Sequence, residues 1–272
     1  MSDNRPIGVF DSGIGGVTVL RALHARLPFE DFLYLGDTAR LPYGTKSAAT
    51  VAAYALQAAK LLVRRGVKFM VIACNTASSV ALEPLARGLA PVPVIGVVQP
   101  GAVAGVGASR NRHIAVIATE GTVRGGAYVR AIHAIRPDIM VSQVACTLFV
   151  ALSEEGWVDG PILDGAARRY LDPLFTHAAG APDTLVLGCT HFPALAPALG
   201  ALLGPGVQLV DSALTTAQAV AEELHICGLL KTDAKPGRVT FMVTDSPERF
   251  VRVGPVFFGA AIPPGSVETI DL

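Results

Sequence analysis

Short apolar, β-branched runs alternate along the chain with longer Ala/Leu-rich stretches. The run 7–10 leads into a glycine turn and a helical stretch over 18–27, and 32–37 reads as a second strand. A long helical stretch, 47–66, ends at Gly66, a usual C-terminal stop. Strand-like 68–74 is followed by a helix over 75–88 and a further strand over 93–98. A second cycle then begins, with strand-like runs at 113–119, 139–146, 184–190 and 207–213. Helical stretches at 123–135, 148–156, 163–179, 193–204 and 215–230 separate or follow them. The strand runs are continuously apolar rather than alternating, as parallel strands covered on both faces should be. Residues 238–245 and the Pro255 and Pro263 region read as a hairpin-like tail. The βαβα order predicts an α/β protein built from two similar parallel-sheet, three-layer α/β/α lobes, with the functional site in the cleft between them. The first lobe is expected to take residues 1–97 plus 211–272 and the second 98–210.

Composition narrows the function. The chain has 272 residues, 51% of them apolar, which is ample for two cores. Lys+Arg and Asp+Glu balance at 22 each, so the basic excess expected of a nucleic-acid binder is missing. No apolar run approaches the roughly 18 residues of a membrane span. The N-terminal stretch lacks the basic and apolar regions of a signal peptide, so a cytoplasmic protein is expected. There Cys74, Cys146, Cys189 and Cys227 should be reduced, and no pair has C-x-x-C spacing.

The chemistry concentrates at predicted strand ends, where open parallel sheets bind ligands. Asp11 and Ser12 follow the first strand, and Cys74, Asn75 and Thr76 the third. Thr119, Thr122, Cys189, Thr190 and His191 hold the matching places in the second cycle. Two cysteines, one from each lobe, suit proton transfer at a carbon held between them. One thiolate removes the proton and the opposite thiol returns one to the other face. A free thiol titrates near ~8.5, and a helix N-terminus favours its thiolate, so both states are accessible near neutral pH. Cys146 and Cys227 lack this context and read as structural. Gly13, Gly15 and Gly16 match a dinucleotide-binding fingerprint only in part, because Thr18 stands where its third glycine belongs. They read as tight-turn glycines. Cys189 and His191 with Asp11 or Glu154 would be a sparse metal set, and no metal is expected.

The segments FDSGIGG (10–16), GDTARLPYG (36–44), ACNTAS (73–78), IATEGTV (117–123), SEEG (153–156), GCTHFP (188–193) and VDSA (210–213) together resemble the aspartate/glutamate racemase superfamily, and within it the glutamate racemases. The resemblance covers about residues 6 to 230. It implies interconversion of L- and D-glutamate without pyridoxal phosphate, metal or nucleotide, in the service of peptidoglycan synthesis. It implies that Cys74 takes the α-proton of D-glutamate with help from Asp11. Cys189 takes that of L-glutamate with help from His191 and Glu154, Glu155 being the fallback carboxylate. Ser12, Pro42, Tyr43, Gly44, Asn75, Thr76, Thr119, Thr122 and Thr190 match substrate-contacting positions. Arg40 and Lys46 are expected to point away from the thiols. The sequence departs from the pattern at Leu41, at Gly125 and in the 146–153 segment, where prolines are common. Members that need a cell-wall precursor as activator carry a longer N-terminus, so such activation is not expected. A homodimer is compatible with the resemblance. Two readings stay open beside it: a racemase of the same superfamily acting on aspartate or another amino acid, and a non-catalytic two-lobe binding protein for a small molecule.

Overall fold

The computed structural model describes residues 3–175 and 180–272. Strands β1 (Ile7–Asp11), β2 (Phe32–Gly36), β3 (Phe69–Ile72) and β4 (Val94–Gly96) open a first sheet. The next four, β5 (His113–Ala118), β6 (Met140–Ala145), β7 (Thr184–Gly188) and β8 (Gln208–Asp211), form a second sheet. The chain then returns to the first sheet with β9 (Val239–Val243) and β10 (Val267–Thr269). The strand orders are β10-β9-β2-β1-β3-β4 and β6-β5-β7-β8, and every pairing is parallel. The expected fold class, two parallel-sheet α/β lobes, is borne out.

Each sheet is covered on both faces because its strands are apolar on both. On the first sheet, α1 (Val17–Arg26), α10 (Ser212–Ile226) and α11 (Pro247–Phe258) bury one face with Leu20, Leu23, Val220, Leu224, Phe250 and Phe257. On the other face lie α2 (Ala48–Arg64) and α3 (Asn75–Gly88), through Val51, Ala55, Leu62, Ala81 and Leu85. The second sheet packs α4 (Val98–Ala108) and α6 (Ala127–Ile135) on one side. On its other side are α7 (Thr147–Glu154), α8 (Pro161–Phe175) and α9 (Ala196–Leu203). A short helix, α5 (Glu120–Gly125), ends at Gly126, whose φ of 62° puts it in the left-handed region and breaks the expected 123–135 helix in two.

The hairpin-like tail is corrected. β9 pairs with β2 and β10 with β9, both parallel, and parallel neighbours need a crossover. That crossover is α11, which carries two prolines, Pro247 and Pro255. Pro247 sits at the helix start, where a missing N–H costs nothing, and Pro255 lies in the last turn. Helix α4 was also unanticipated. Gly101, Gly105 and Gly107 depress its helix propensity, yet Gly105 lets α4 approach Val186 so closely that a methyl group there would sit 3.0 Å from that side chain. Beneath the first sheet, Lys68 and Glu30 form a fully buried ion pair at 2.6 Å, and Lys68 also donates to the Asp3 carbonyl at 2.6 Å. The tail of the expected 163–179 helix and His177 lie outside the described residues.

Candidate active site

A cavity of about 280 Å³ opens where the C-terminal strand ends of the two sheets meet. From the first sheet come Ser12, the turn Leu41–Thr45 and Cys74–Thr76; from the second come Thr119, Glu120, Cys189, Thr190 and His191. Both cysteines line it and both are buried, at 5% exposure each. Cys74 caps α3. Its Sγ accepts the Ala77 N–H at 3.4 Å, and its thiol donates to Ser12 Oγ at 3.4 Å. Burial, with the Asp11 charge adding to it, pushes this thiol up to about 12. Cys74 therefore rests as a neutral thiol.

Opposite it, His191 Nδ1 lies 3.7 Å from Cys189 Sγ, while Nε2 lies 3.0 Å from Glu154 Oε1. Burial alone would lower the imidazole pKa, but bonding to Cys189 and Glu154 outweighs it and raises His191 to about 10. The ring is thus an imidazolium at neutral pH. Burial likewise works against Glu154, but His191 and Arg249 hold its carboxyl below the usual range. Glu155 is exposed and away from the cavity, so Glu154 is the carboxylate the fold brings in.

Asp11 and Thr122 sit one layer behind the cavity wall. Asp11 is fully buried; its Oδ2 accepts the Gly13 N–H at 2.9 Å and its Oδ1 has no hydrogen-bond partner among the described residues. Burial raises its carboxyl, against the pull of the His191 charge. Thr122 backs Thr119 at 3.0 Å, and Thr119 meets Thr76 of the other lobe at 2.9 Å, so three hydroxyls bridge the cleft. Asn75 Nδ2 donates to the buried Tyr128 hydroxyl at 2.8 Å. The Tyr43 hydroxyl donates to Asp37, which also accepts from Arg40 Nε at 2.7 Å. The Arg40 guanidinium stacks on Tyr54, and neither it nor Lys46 lines the cavity. Pro42, Gly44 and Thr190 also line it. Cys146 is buried outside it and Cys227 is exposed. Among the described residues no three His, Cys, Asp or Glu side chains converge as a metal site.

The turn glycines have a different reason from the one read in the sequence. Gly13, Gly15 and Gly16 all have ordinary φ angles. A Cβ on Gly15 would stand 2.4 Å from His191 Nδ1, and one on Gly16 would stand 2.3 Å from Asp11 Cβ. They are glycines because the His191 and Asp11 side chains occupy the space. Sequence reasoning also missed Thr147, Val150 and Ala151, which line the cavity from α7. With Glu154 they fall at i, i+3, i+4 and i+7, one helix face, so the signal was present once Glu154 was placed on a helix. Arg249, which grips Glu154 Oε2 at 2.7 Å, lies 95 residues further on and carried no local signal.

Comparison with known proteins agrees with this geometry. A family model described as Asp/Glu/Hydantoin racemase matches residues 7–220. A glutamate racemase of Geobacter metallireducens is 48% identical over 268 residues, covering 98% of this chain and 97% of that protein. The crystal structure of glutamate racemase from Francisella tularensis in complex with D-glutamate superposes with a TM-score of 0.90 at 39% identity, covering 99% of this chain and 98% of that one. The Thermus thermophilus enzyme, solved in complex with β-chloro-D-alanine, gives 0.88 at 46% identity, with 100% and 99% covered.

Proposed function

The chain belongs to the Asp/Glu/hydantoin racemase family and is an isomerase, and from that premise we propose that it interconverts L- and D-glutamate by proton transfer between Cys74 and Cys189. The observation that carries the reading is the placement of two buried cysteines, each at a strand end of a different sheet, in the walls of one cavity. Glutamate fits the lining. Hydroxyls of Ser12, Thr76, Thr119 and Thr190, the Asn75 amide and the N-terminal N–H groups of α3 supply donors for a dianion. Among the described residues no Lys or Arg lines the cavity to fix the thiols in one protonation state.

The resting site holds a neutral Cys74 thiol and a protonated His191 beside Cys189. This suits the L-to-D direction. Cys189, as thiolate, accepts the α-proton of L-glutamate, and the electron pair stays on the carbon as a planar carbanion. The Cys74 thiol then donates its proton to the opposite face and becomes the thiolate. The two sulfurs have exchanged protonation states, so the reverse reaction begins from the product state. Asp11 and the His191–Glu154 pair serve Cys74 and Cys189 respectively, as proton-holding partners. Every proton in this route is carried by a side chain of the chain itself. The product would feed peptidoglycan synthesis in the cytoplasm, and among the described residues no helix is long and apolar enough to cross a membrane.

The test is incubation of the pure protein with L-glutamate in D₂O. Optical rotation should fall to zero as deuterium enters at Cα. Unchanged rotation with glutamate but decay with aspartate would move the substrate, and no turnover of either would overturn the racemase reading.

A further inference from the structure

Helix α11 belongs by its strands to the first sheet, yet two of its side chains end on the acid/base group of the second. Arg249 Nη2 donates to Glu154 Oε2 at 2.7 Å, and the Phe257 ring stands edge-on to the His191 imidazole with centroids 5.1 Å apart. Glu154 meets the guanidinium through one oxygen and His191 Nε2 through the other, and His191 Nδ1 faces Cys189. A continuous chain of contacts therefore runs Arg249–Glu154–His191–Cys189, from one lobe into the thiol of the other. Among the described residues the hydrogen-bond partners of Cys74, Ser12 and Ala77, both belong to its own lobe.

Resting on the reading above, we propose that Arg249 is a positioning residue for the Cys189 half of the reaction: it aims the Glu154 carboxylate at His191 and so ties that half to the seating of α11 across the cleft. The physical basis is the rotational freedom of a carboxylate on a helix end. Held by one hydrogen bond it can swing; held at both oxygens it presents a fixed acceptor to Nε2. A guanidinium does this better than a point charge, since its donors are coplanar and directional. The pair is partly exposed, with Arg249 at 37% and Glu154 at 13%, so the gain is positional more than electrostatic.

Racemisation rates alone cannot test this. The enantiomers have equal free energy, so kcat/KM must fall equally from both sides whichever half is damaged. A substrate with a leaving group at Cβ separates the halves. With 3-chloroglutamate, the thiolate takes the α-proton, the C–H pair forms the Cα=Cβ bond and chloride departs with its own pair. The enamine tautomerises to an imine, and water releases ammonia and 2-oxoglutarate. Elimination from the L-configured compound uses Cys189 as base, and from the D-configured one Cys74.

Arg249→Met and Arg249→Lys would be compared with the unaltered protein, each checked for unchanged melting temperature. For Arg249→Met, elimination from the L-compound should fall roughly tenfold, the scale of one lost charge-assisted hydrogen bond, while that from the D-compound stays within twofold. Arg249→Lys should recover part of the loss. Equal losses from both compounds, or none from either, would overturn the inference while leaving the racemase reading intact if the unaltered protein still racemises glutamate. Absence of racemisation and of both eliminations in the unaltered protein would instead overturn the racemase reading, and this inference with it.

Discussion

Replacing Gly15 by alanine probes the site through a position that does not line the cavity. The new Cβ would lie 2.4 Å from His191 Nδ1, 2.5 Å from its Cε1 and 2.6 Å from Thr190 Oγ1. Nonbonded atoms settle near ~3.5 Å, so the imidazole must retreat by about 1 Å. The ring has little room, because Phe257 stands against it and Glu154 holds its far nitrogen at 3.0 Å. A 1 Å shift that opens either the 3.0 Å contact to Glu154 or the 3.7 Å contact to Cys189 breaks the relay. Misplacement on that scale costs about 10²-fold in rate, or about 2.7 kcal/mol of barrier. Overpacking should also lower stability by about 1–3 kcal/mol. The assay is circular dichroism of L-glutamate turnover, paired with thermal melting of each variant. Gly206→Ala is the control, since nothing lies within 4 Å of its new methyl group. If Gly15→Ala kept kcat/KM within about threefold of the parent, the claim that Gly15 makes room for His191 would be refuted.

Cys74→Ser and Cys189→Ser should each lower racemisation by at least ~10²–10⁴-fold, each retaining elimination from only one enantiomer of 3-chloroglutamate; equal residual elimination from both would rule out a two-sided mechanism. Stability should also depend on His191. Its folded pKa of about 10 exceeds the ordinary unfolded value near ~6.5. Its contribution is therefore full below about pH 6.5 and declines as pH rises towards 10. Between about pH 6.5 and 7.5, before thiols titrate, the urea midpoint of the parent should fall with pH, and that of His191→Asn should be flatter. Parallel curves for the two would show that the His191 charge is not held by the fold.

The parts of the fold legible in sequence were those set by local pattern. Continuous apolar runs such as 69–72 and 184–188 carry their own instruction to be buried on both faces, and the structure makes them central strands. Cys74 and Cys189 were found because each ends such a run, and a strand end is where a parallel sheet presents its chemistry. The α7 face of Thr147, Val150 and Ala151 was present in the spacing but needed Glu154 as an anchor to be read.

What the tertiary structure alone decided has a common physical form: contacts between residues distant in sequence. The segment around Pro255 reads as a hairpin-like tail, whereas pairing of β9 with β2 and burial of Phe250 and Phe257 make α11 worth forming. Gly15 and Gly16 read as turn residues because sequence shows backbone freedom; only the fold shows that His191 and Asp11 fill the missing methyl positions. Arg249 bears no motif, and its partner Glu154 is chosen by how α11 crosses the cleft. Sequence determined which side chains could do proton chemistry and which strands would carry them, because those are local properties. The fold decided which groups orient and charge them, because burial and distance exist only after the lobes have met.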